Sequence, residues 1–285
     1  MRLCAVAPLS LGLAVHRLVG KVFYRIAPKL RRIVQRNLEL CFPELDADAR
    51  ETLAKRHFEA LAMSIAECSV GWFGPERGID GRFDIFGLEH LNAAVARGKG
   101  VILYTGHFTT LEICGQPFKR ITPRFAAMFS HRSSPLLEEI QHRGRLRLAH
   151  ETISSDSVRS MLKSLKHNAA IWYAPDLMYR DGVLIPFFHE LAMTNVATSK
   201  LASLSGATVL PFAYRRRPRG ARYELRFHPP LENFPTGDPV ADTTRLVKLL
   251  EQFIRACPEQ YQWMQKRFKG RPPDLPDLYA TGARS

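Results

Sequence analysis

The sequence predicts an α/β protein, a mixed sheet flanked by helices, with an N-terminal membrane-associating helical segment. Three observations predict it. Residues 101–104 are a short apolar run rich in β-branched residues, set between Gly100 and Gly106, which suits a buried strand better than a helix of that length. From Arg82 onward such runs alternate with helical patterns, the grammar of βαβ units. Before that point the chain is helical in pattern, and its first part combines an apolar run with cations at helical spacing.

Residues 3–15 are apolar but too few to span a bilayer, and no small-residue cleavage site follows them. Arg17, Lys21 and Arg25 then recur every fourth residue with Leu18, Val19, Val22, Phe23 and Ile26 between them, so residues 1–30 are expected to form a basic amphipathic anchor on an anionic membrane surface. Lys29, Arg31, Arg32 and Arg36 put the bulk of the chain on the cytoplasmic side. The alternative is an ordinary surface helix. Residues 31–80 read as a helical subdomain, with Asp48 and Glu51 in capping-box-like positions and Leu53, Phe58, Leu61, Ile65 and Trp72 as its apolar stripe.

A Gly/Pro-rich break over residues 71–81 precedes an α/β domain expected over residues 81–270. Within it the pattern gives a helix over 89–97, the strand 101–104, a strand over 125–129 and a helix from Pro135. A helix capped by Ser155 or Asp156 then feeds the strand 169–174. After a loop over 177–190 come a helix at 195–204, a strand at 207–213, an edge strand alternating at Tyr223, Leu225 and Phe227, and a last helix at 240–256. The Pro-rich residues 271–285 read as a loosely held tail.

The chain has 41 Lys and Arg against 27 Asp and Glu, a net charge of +14, which points to a polyanionic partner. No nucleic-acid module and no aromatic-interleaved basic stripe is present, so an anionic membrane or a phosphorylated substrate fits better than nucleic acid. Its five cysteines are scattered and contain no Cys-x-x-Cys pair, which favours a reducing compartment and no structural zinc.

His107 falls just beyond the carboxyl end of the 101–104 strand, where open α/β sheets place their chemistry. Glu112 follows five residues later, and of the ten histidines only His107 has an acid at that offset. Residues five apart in one helix are rotated by about 140°, so His107 belongs to the turn and Glu112 to the first turn of a helix starting near Thr109 or Thr110. There the carboxylate can hydrogen-bond one imidazole nitrogen and leave the other to take a proton. Asp176, just beyond the 169–174 strand, either orients an active-site arginine or caps its own loop. Arg132, Arg143, Arg145, Arg180 and the run 215–217 offer guanidinium forks that suit phosphate oxygens, or else are solvated surface residues. With no Gly-x-Ser-x-Gly elbow and no cysteine-centred motif, a covalent acyl-enzyme is the poorer enzymatic reading.

The chain resembles the bacterial lipid A biosynthesis acyltransferases, the late lauroyl and myristoyl transferases. The likeness lies in Arg36-Asn-Leu-Glu-Leu-Cys-Phe-Pro-Glu44, Gly106-His-Phe-Thr-Thr-Leu-Glu112, His131-Arg-Ser-Ser-Pro135, Tyr173-Ala-Pro-Asp176, Ile185-Pro-Phe-Phe188 and Gln262-Trp-Met-Gln-Lys-Arg267, in that order along nearly the whole chain. It departs from the family's usual pattern at Ser134, Leu177 and His189. The resemblance implies an enzyme on the cytoplasmic face of the inner membrane, without cofactor or metal, that moves an acyl group from acyl carrier protein to a hydroxyl of a phosphorylated glycolipid. It implies His107 and Glu112 as the catalytic pair, with Arg132 and Asp176 close to it; Arg180 is a further candidate for binding substrate. A thioester is already activated, so deprotonating the hydroxyl and holding an oxyanion is the main task, with either the backbone N–H groups at the helix start after His107 or Arg132 as donors. The alternatives are acyl transfer to another glycolipid or a lysophospholipid, or a basic membrane-binding module without catalysis.

Overall fold

A computed structural model describes residues 5, 7–74, 79, 81–129, 135–218 and 221–280, and its centre is the predicted α/β sheet. Three helices come first, α1 (Leu9–Ile26), α2 (Pro28–Cys41) and α3 (Ala47–Phe73). The order continues β1 (Phe83–Phe86), α4 (Leu88–Ala96), β2 (Val101–Tyr104), α5 (Leu111–Cys114), α6 (Phe118–Ile121), β3 (Phe125–Phe129), α7 (Pro135–Leu148), β4 (Glu151–Ser154), α8 (Val158–Lys166) and β5 (Ala170–Tyr173). The chain ends with β6 (Val183–Phe187), β7 (Glu190–Thr194), α9 (Ala197–Ser205), β8 (Thr208–Arg216), β9 (Tyr223–Phe227), α10 (Pro239–Ala256) and a 3₁₀ turn at Pro258–Gln260.

Seven strands pair in the order β1-β9-β8-β2-β5-β3-β4. From β8 to β4 they are parallel, while β9 runs antiparallel to β8 and β1 parallel to β9, which makes the sheet mixed. Every residue of β2 and β5 is buried, as expected of parallel strands covered on both faces. Crossovers from β2 to β3 and from β3 to β4 advance in one direction and those through α8 and α9 return. Right-handed connections therefore put α5, α6 and α7 on one face of the sheet and α8 and α9 on the other. Each strand of the parallel part thus aims its carboxyl end at one edge.

Four local features differ from expectation. The cap of α8 is Ser157, whose hydroxyl accepts from Ser160 N, because the turn after β4 uses Ser155 and Asp156. Asp46 caps α3 by accepting from Ala49 N. The expected loop 177–190 contains β6, paired antiparallel with β7 as a separate hairpin. Residues 271–280 are held against α2: Leu278 is buried, Arg36 Nε donates to its carbonyl at 2.7 Å, and the Tyr279 hydroxyl donates to Asn37 Oδ1 at 2.5 Å. One buried leucine and two long-range hydrogen bonds suffice where composition alone reads as a loose end.

Helix α1 packs on α3 through Leu9, Leu13 and Tyr24, and Gly20 lies so close to Phe58 and Glu59 that a Cβ would stand 2.6 Å from their backbone. Its other side exposes Leu11, Val15, Leu18, Val19, Val22 and Ile26, with Leu18 at 63% and Ile26 at 71%. Among the described residues no helix is long and apolar enough to cross a membrane.

Helix α3 is tied to the sheet by polar groups as well as by the continuous apolar core. Glu67, 1% exposed at its side chain, pairs with Arg216 Nε at 2.6 Å and accepts from the Tyr223 hydroxyl at 2.8 Å. His57 is fully buried; its Nδ1 donates to the Glu259 carbonyl at 3.1 Å, and its Nε2 has no partner among the described residues. Burial pushes its imidazole down to about 4, outweighing the opposing effect of that hydrogen bond. Between pH 6.5 and 4 the unfolded chain binds a proton there that the folded chain refuses, so stability falls as pH falls through that window. Urea unfolding at pH 7 and pH 4.5 is expected to show a loss of about 2.4 kcal/mol in the parent that is missing in His57→Leu. An identical pH dependence in the two proteins would contradict this.

Candidate active site

The register of β2 on β5 builds the site. Tyr104 pairs with Tyr173, so His107 and Asp176, each three residues further on, leave neighbouring parallel strands side by side at the carboxyl edge. His107 lies in the turn before α5, as its spacing predicts. Its Nδ1 donates to Asp176 Oδ1 at 2.6 Å and its backbone N donates to Asp176 Oδ2 at 2.9 Å, so one carboxylate fixes both ring and turn. Burial raises the fully enclosed Asp176 carboxyl, but the His107 charge, the two His107 hydrogen bonds and one from the Tyr261 hydroxyl outweigh it and hold the group below its ordinary value. With Nδ1 engaged, Nε2 is the nitrogen available to a substrate, on a ring whose side chain is 34% exposed.

The turn is over-determined. Tyr214 Oη donates to the Gly106 carbonyl at 2.8 Å and accepts from Phe108 N at 3.2 Å, Thr109 N donates to the Gln260 carbonyl, and Gln262 N donates to the His107 carbonyl. A Cβ at Gly106 would stand 2.6 Å from Leu250 Cδ1 and 3.1 Å from Asp176 Oδ2, so a side chain there would press on the carboxylate that holds His107. The N–H groups of His107, Phe108 and Thr109 are all taken, so none of these three is free to hold an oxyanion, and the expected donors at the start of α5 begin at Thr110.

Glu112 is in the first turn of α5 but does not touch the imidazole, in contrast to the expected pair. Arg145 of α7 grips it, Nη2 to Oε1 at 2.6 Å and Nε to the same oxygen at 3.1 Å, and the Trp72 indole of α3 donates to Oε2 at 2.9 Å. A planar guanidinium fork and an indole N–H together claim the carboxylate and turn it toward the helices. Arg145 also donates to the Met128 carbonyl.

His107 and Glu112 nevertheless line one cavity of about 320 Å³, with Arg145, Gln141, Ser155, Asp156 and Asn195 as its other polar walls. Its apolar part includes Leu111, Phe125, Ala127, Leu148 and Trp172. Ala127 and Trp172 are register partners on β3 and β5, so the floor is the sheet itself. A polar end that can take a proton, joined to an apolar pocket, suits a hydroxyl and an alkyl chain meeting at His107.

Of the other sequence candidates, Arg180 is exposed on the turn before β6, next to Tyr179 at the cavity wall. Arg132 lies outside the described residues. Arg143 pairs with Glu139, and Arg215, Arg216 and Arg217 pair with Glu224, Glu67 and Asp84, so these four already have carboxylate partners. Sequence reasoning missed the partners Trp72, Tyr214 and Tyr261. It also missed that the stretches at 36–44 and 262–267 meet each other, where Asn37 Nδ2 donates to the Trp263 carbonyl at 2.7 Å and the Gln265 carbonyl at 2.8 Å.

Comparison with known proteins gives this geometry a family. A profile described as bacterial lipid A biosynthesis acyltransferase matches residues 1–270. The chain is 36% identical over 264 residues to the lipid A biosynthesis lauroyltransferase of Escherichia coli (strain K12), covering 92% of this chain and 86% of that one. It is 35% identical to the palmitoleoyltransferase of the same organism, covering 88% and 84%, and 30% identical to a lipid A biosynthesis acyltransferase of Haemophilus influenzae, covering 90% and 83%. With its strand-end histidine, its buried aspartate and matches that run through both, the chain belongs to the bacterial lipid A biosynthesis acyltransferase family.

Proposed function

We propose that this protein is an O-acyltransferase that moves a fatty acyl chain from an acyl carrier protein thioester to a hydroxyl of a phosphorylated lipid A precursor. The observation that carries the reading is the Asp176-oriented imidazole at the polar end of a cavity with an apolar floor. His107 Nε2 takes the proton of the acceptor hydroxyl, the alkoxide oxygen forms a bond to the thioester carbonyl carbon, and the C–S bond breaks. The leaving thiolate then recovers the proton from the imidazolium. Asp176 holds the tautomer and stabilises the imidazolium without itself accepting the proton. No protein nucleophile and no cofactor enter the step.

Glu112 acts one step back in this scheme: its pair with Arg145 fixes α7 against α5 and keeps the cavity wall in place. Arg132 and Arg180 are the proposed contacts for the acceptor's phosphates. The reading is tested by mass spectrometry of lipid A from cells with and without the protein. A species one acyl chain lighter is expected in its absence, and an unchanged acyl count would overturn the assignment to lipid A.

The same reading puts the protein on the cytoplasmic face of the inner membrane, with α1 lying in the interface. Six exposed apolar side chains on one stripe of α1, edged by Lys21 and Arg25, suit an anionic bilayer surface. Leu18→Glu combined with Val22→Glu changes two side chains that are mostly turned outward, 63% and 54% exposed. Each buried aliphatic chain is worth about 1.5–3 kcal/mol, so partition into anionic vesicles is expected to fall at least tenfold per site with the melting temperature unchanged. Unchanged sedimentation with vesicles would place the anchor elsewhere.

A further inference from the structure

The opposite face of the sheet carries a charge pattern that the site does not use. On α8, Arg159, Lys163 and Lys166 follow at intervals of four and three residues, so they form one stripe along the helix. All three are exposed, while Met161, Ser164 and Leu165 face inward. None of the three is in an ion pair among the described residues, whereas Arg215, Arg216, Arg217, Arg222, Arg255 and Arg271 each have a carboxylate. Like charges at this spacing repel within a helix; the helix dipole favours Lys163 and Lys166 in the last turn, but no carboxylate among the described residues pairs with any of the three.

We propose that this stripe is the docking surface for the acyl donor, an acidic carrier protein whose negatively charged face lies along α8 while its thioester enters the cavity. The proposal rests on the carrier-bound donor of the function proposed above. Two observations give it position. Ser155 and Asp156, immediately before α8, line the cavity that holds His107, so the Arg159 end of the stripe stands at the rim. Helix α1 packs on α3, which packs on α5 and α7, whereas α8 packs on β4, β5 and α9 across the sheet. A bilayer under α1 therefore leaves α8 facing water, where an acidic protein can reach it and an anionic lipid surface cannot.

The test compares two donors bearing the same acyl chain, one on an acidic carrier protein and one on coenzyme A, with the full-length protein. For the triple variant Arg159→Glu/Lys163→Glu/Lys166→Glu, KM for the carrier-bound donor is expected to rise at least about tenfold with kcat unchanged, and both constants for the coenzyme A donor to stay at parent values. The triple glutamine variant is expected to fall between, and added salt to raise the parent's KM for the carrier alone. Equal losses on both donors, or release of the triple variant from anionic vesicles, would overturn the docking surface. A parent that prefers the carrier and keeps that preference through the charge reversal overturns this surface alone. A parent that uses both donors equally overturns the carrier reading beneath it.

Discussion

Asp176→Asn is expected to slow acyl transfer by about 10²- to 10⁴-fold while leaving the fold and KM near parent values. The carboxylate accepts both the ring N–H and the backbone N–H of His107, and it is fully enclosed. An amide there can turn its NH₂ group toward Nδ1, which favours the tautomer that puts the proton on Nε2, the wrong nitrogen for a base. Glu112→Gln is expected to act differently, because its partners are Arg145 and Trp72. Removing its charge leaves a largely buried guanidinium uncompensated, so the loss should be visible in thermal stability as well as in rate. Initial rates and melting curves on the two purified variants separate these outcomes, and an Asp176→Asn enzyme at parent rate would remove the orienting role.

Glu67→Ala should have the largest effect on stability. Breaking a buried ion pair strands the other charge, and the cost is about 3–5 kcal/mol when the pair is well enclosed. Glu67 and Arg216 are 1% and 7% exposed at their side chains, and Tyr223 loses its acceptor as well. Replacing both members together, Glu67→Leu with Arg216→Met, should recover most of the loss, since the stranded charge is then gone. Denaturant unfolding of the two variants checks this; a single variant within about 1 kcal/mol of the parent would mean that water reaches Arg216.

How much of this was legible in the sequence follows the range of the interactions. Strands β2 and β5 could be read because burial on both faces leaves an unbroken apolar run, and the place of His107 could be read because strand, glycine and turn are contiguous. Its partner could not. Glu112 is near in sequence, but the pairing of Tyr104 with Tyr173 that brings Asp176 alongside spans the whole β2-to-β5 crossover. The usable signal was that both residues stand three places beyond a buried run ending in tyrosine. The hairpin β6–β7 was hidden because Pro186 and the pair Phe187 and Phe188 read as loop, although β6 pairs with β7 only. The fixed end at Leu278 and Tyr279 depends on α2, 242 residues earlier in the chain, where no local pattern points. The exposed apolar stripe of α1 was legible as a pattern, and only the packing of Leu13 and Tyr24 on α3 shows which side is left outward.

The most direct measurement is the mass of the acceptor after incubation with acyl carrier protein thioester and purified protein, parent beside His107→Ala. With the parent, the phosphorylated disaccharide should gain one acyl chain while the intact mass of the protein stays unchanged. With His107→Ala, folded by its melting curve, the acceptor should gain none. An acceptor acylated by His107→Ala at the parent rate, or an acyl group found on the parent protein itself, would contradict transfer by a histidine base.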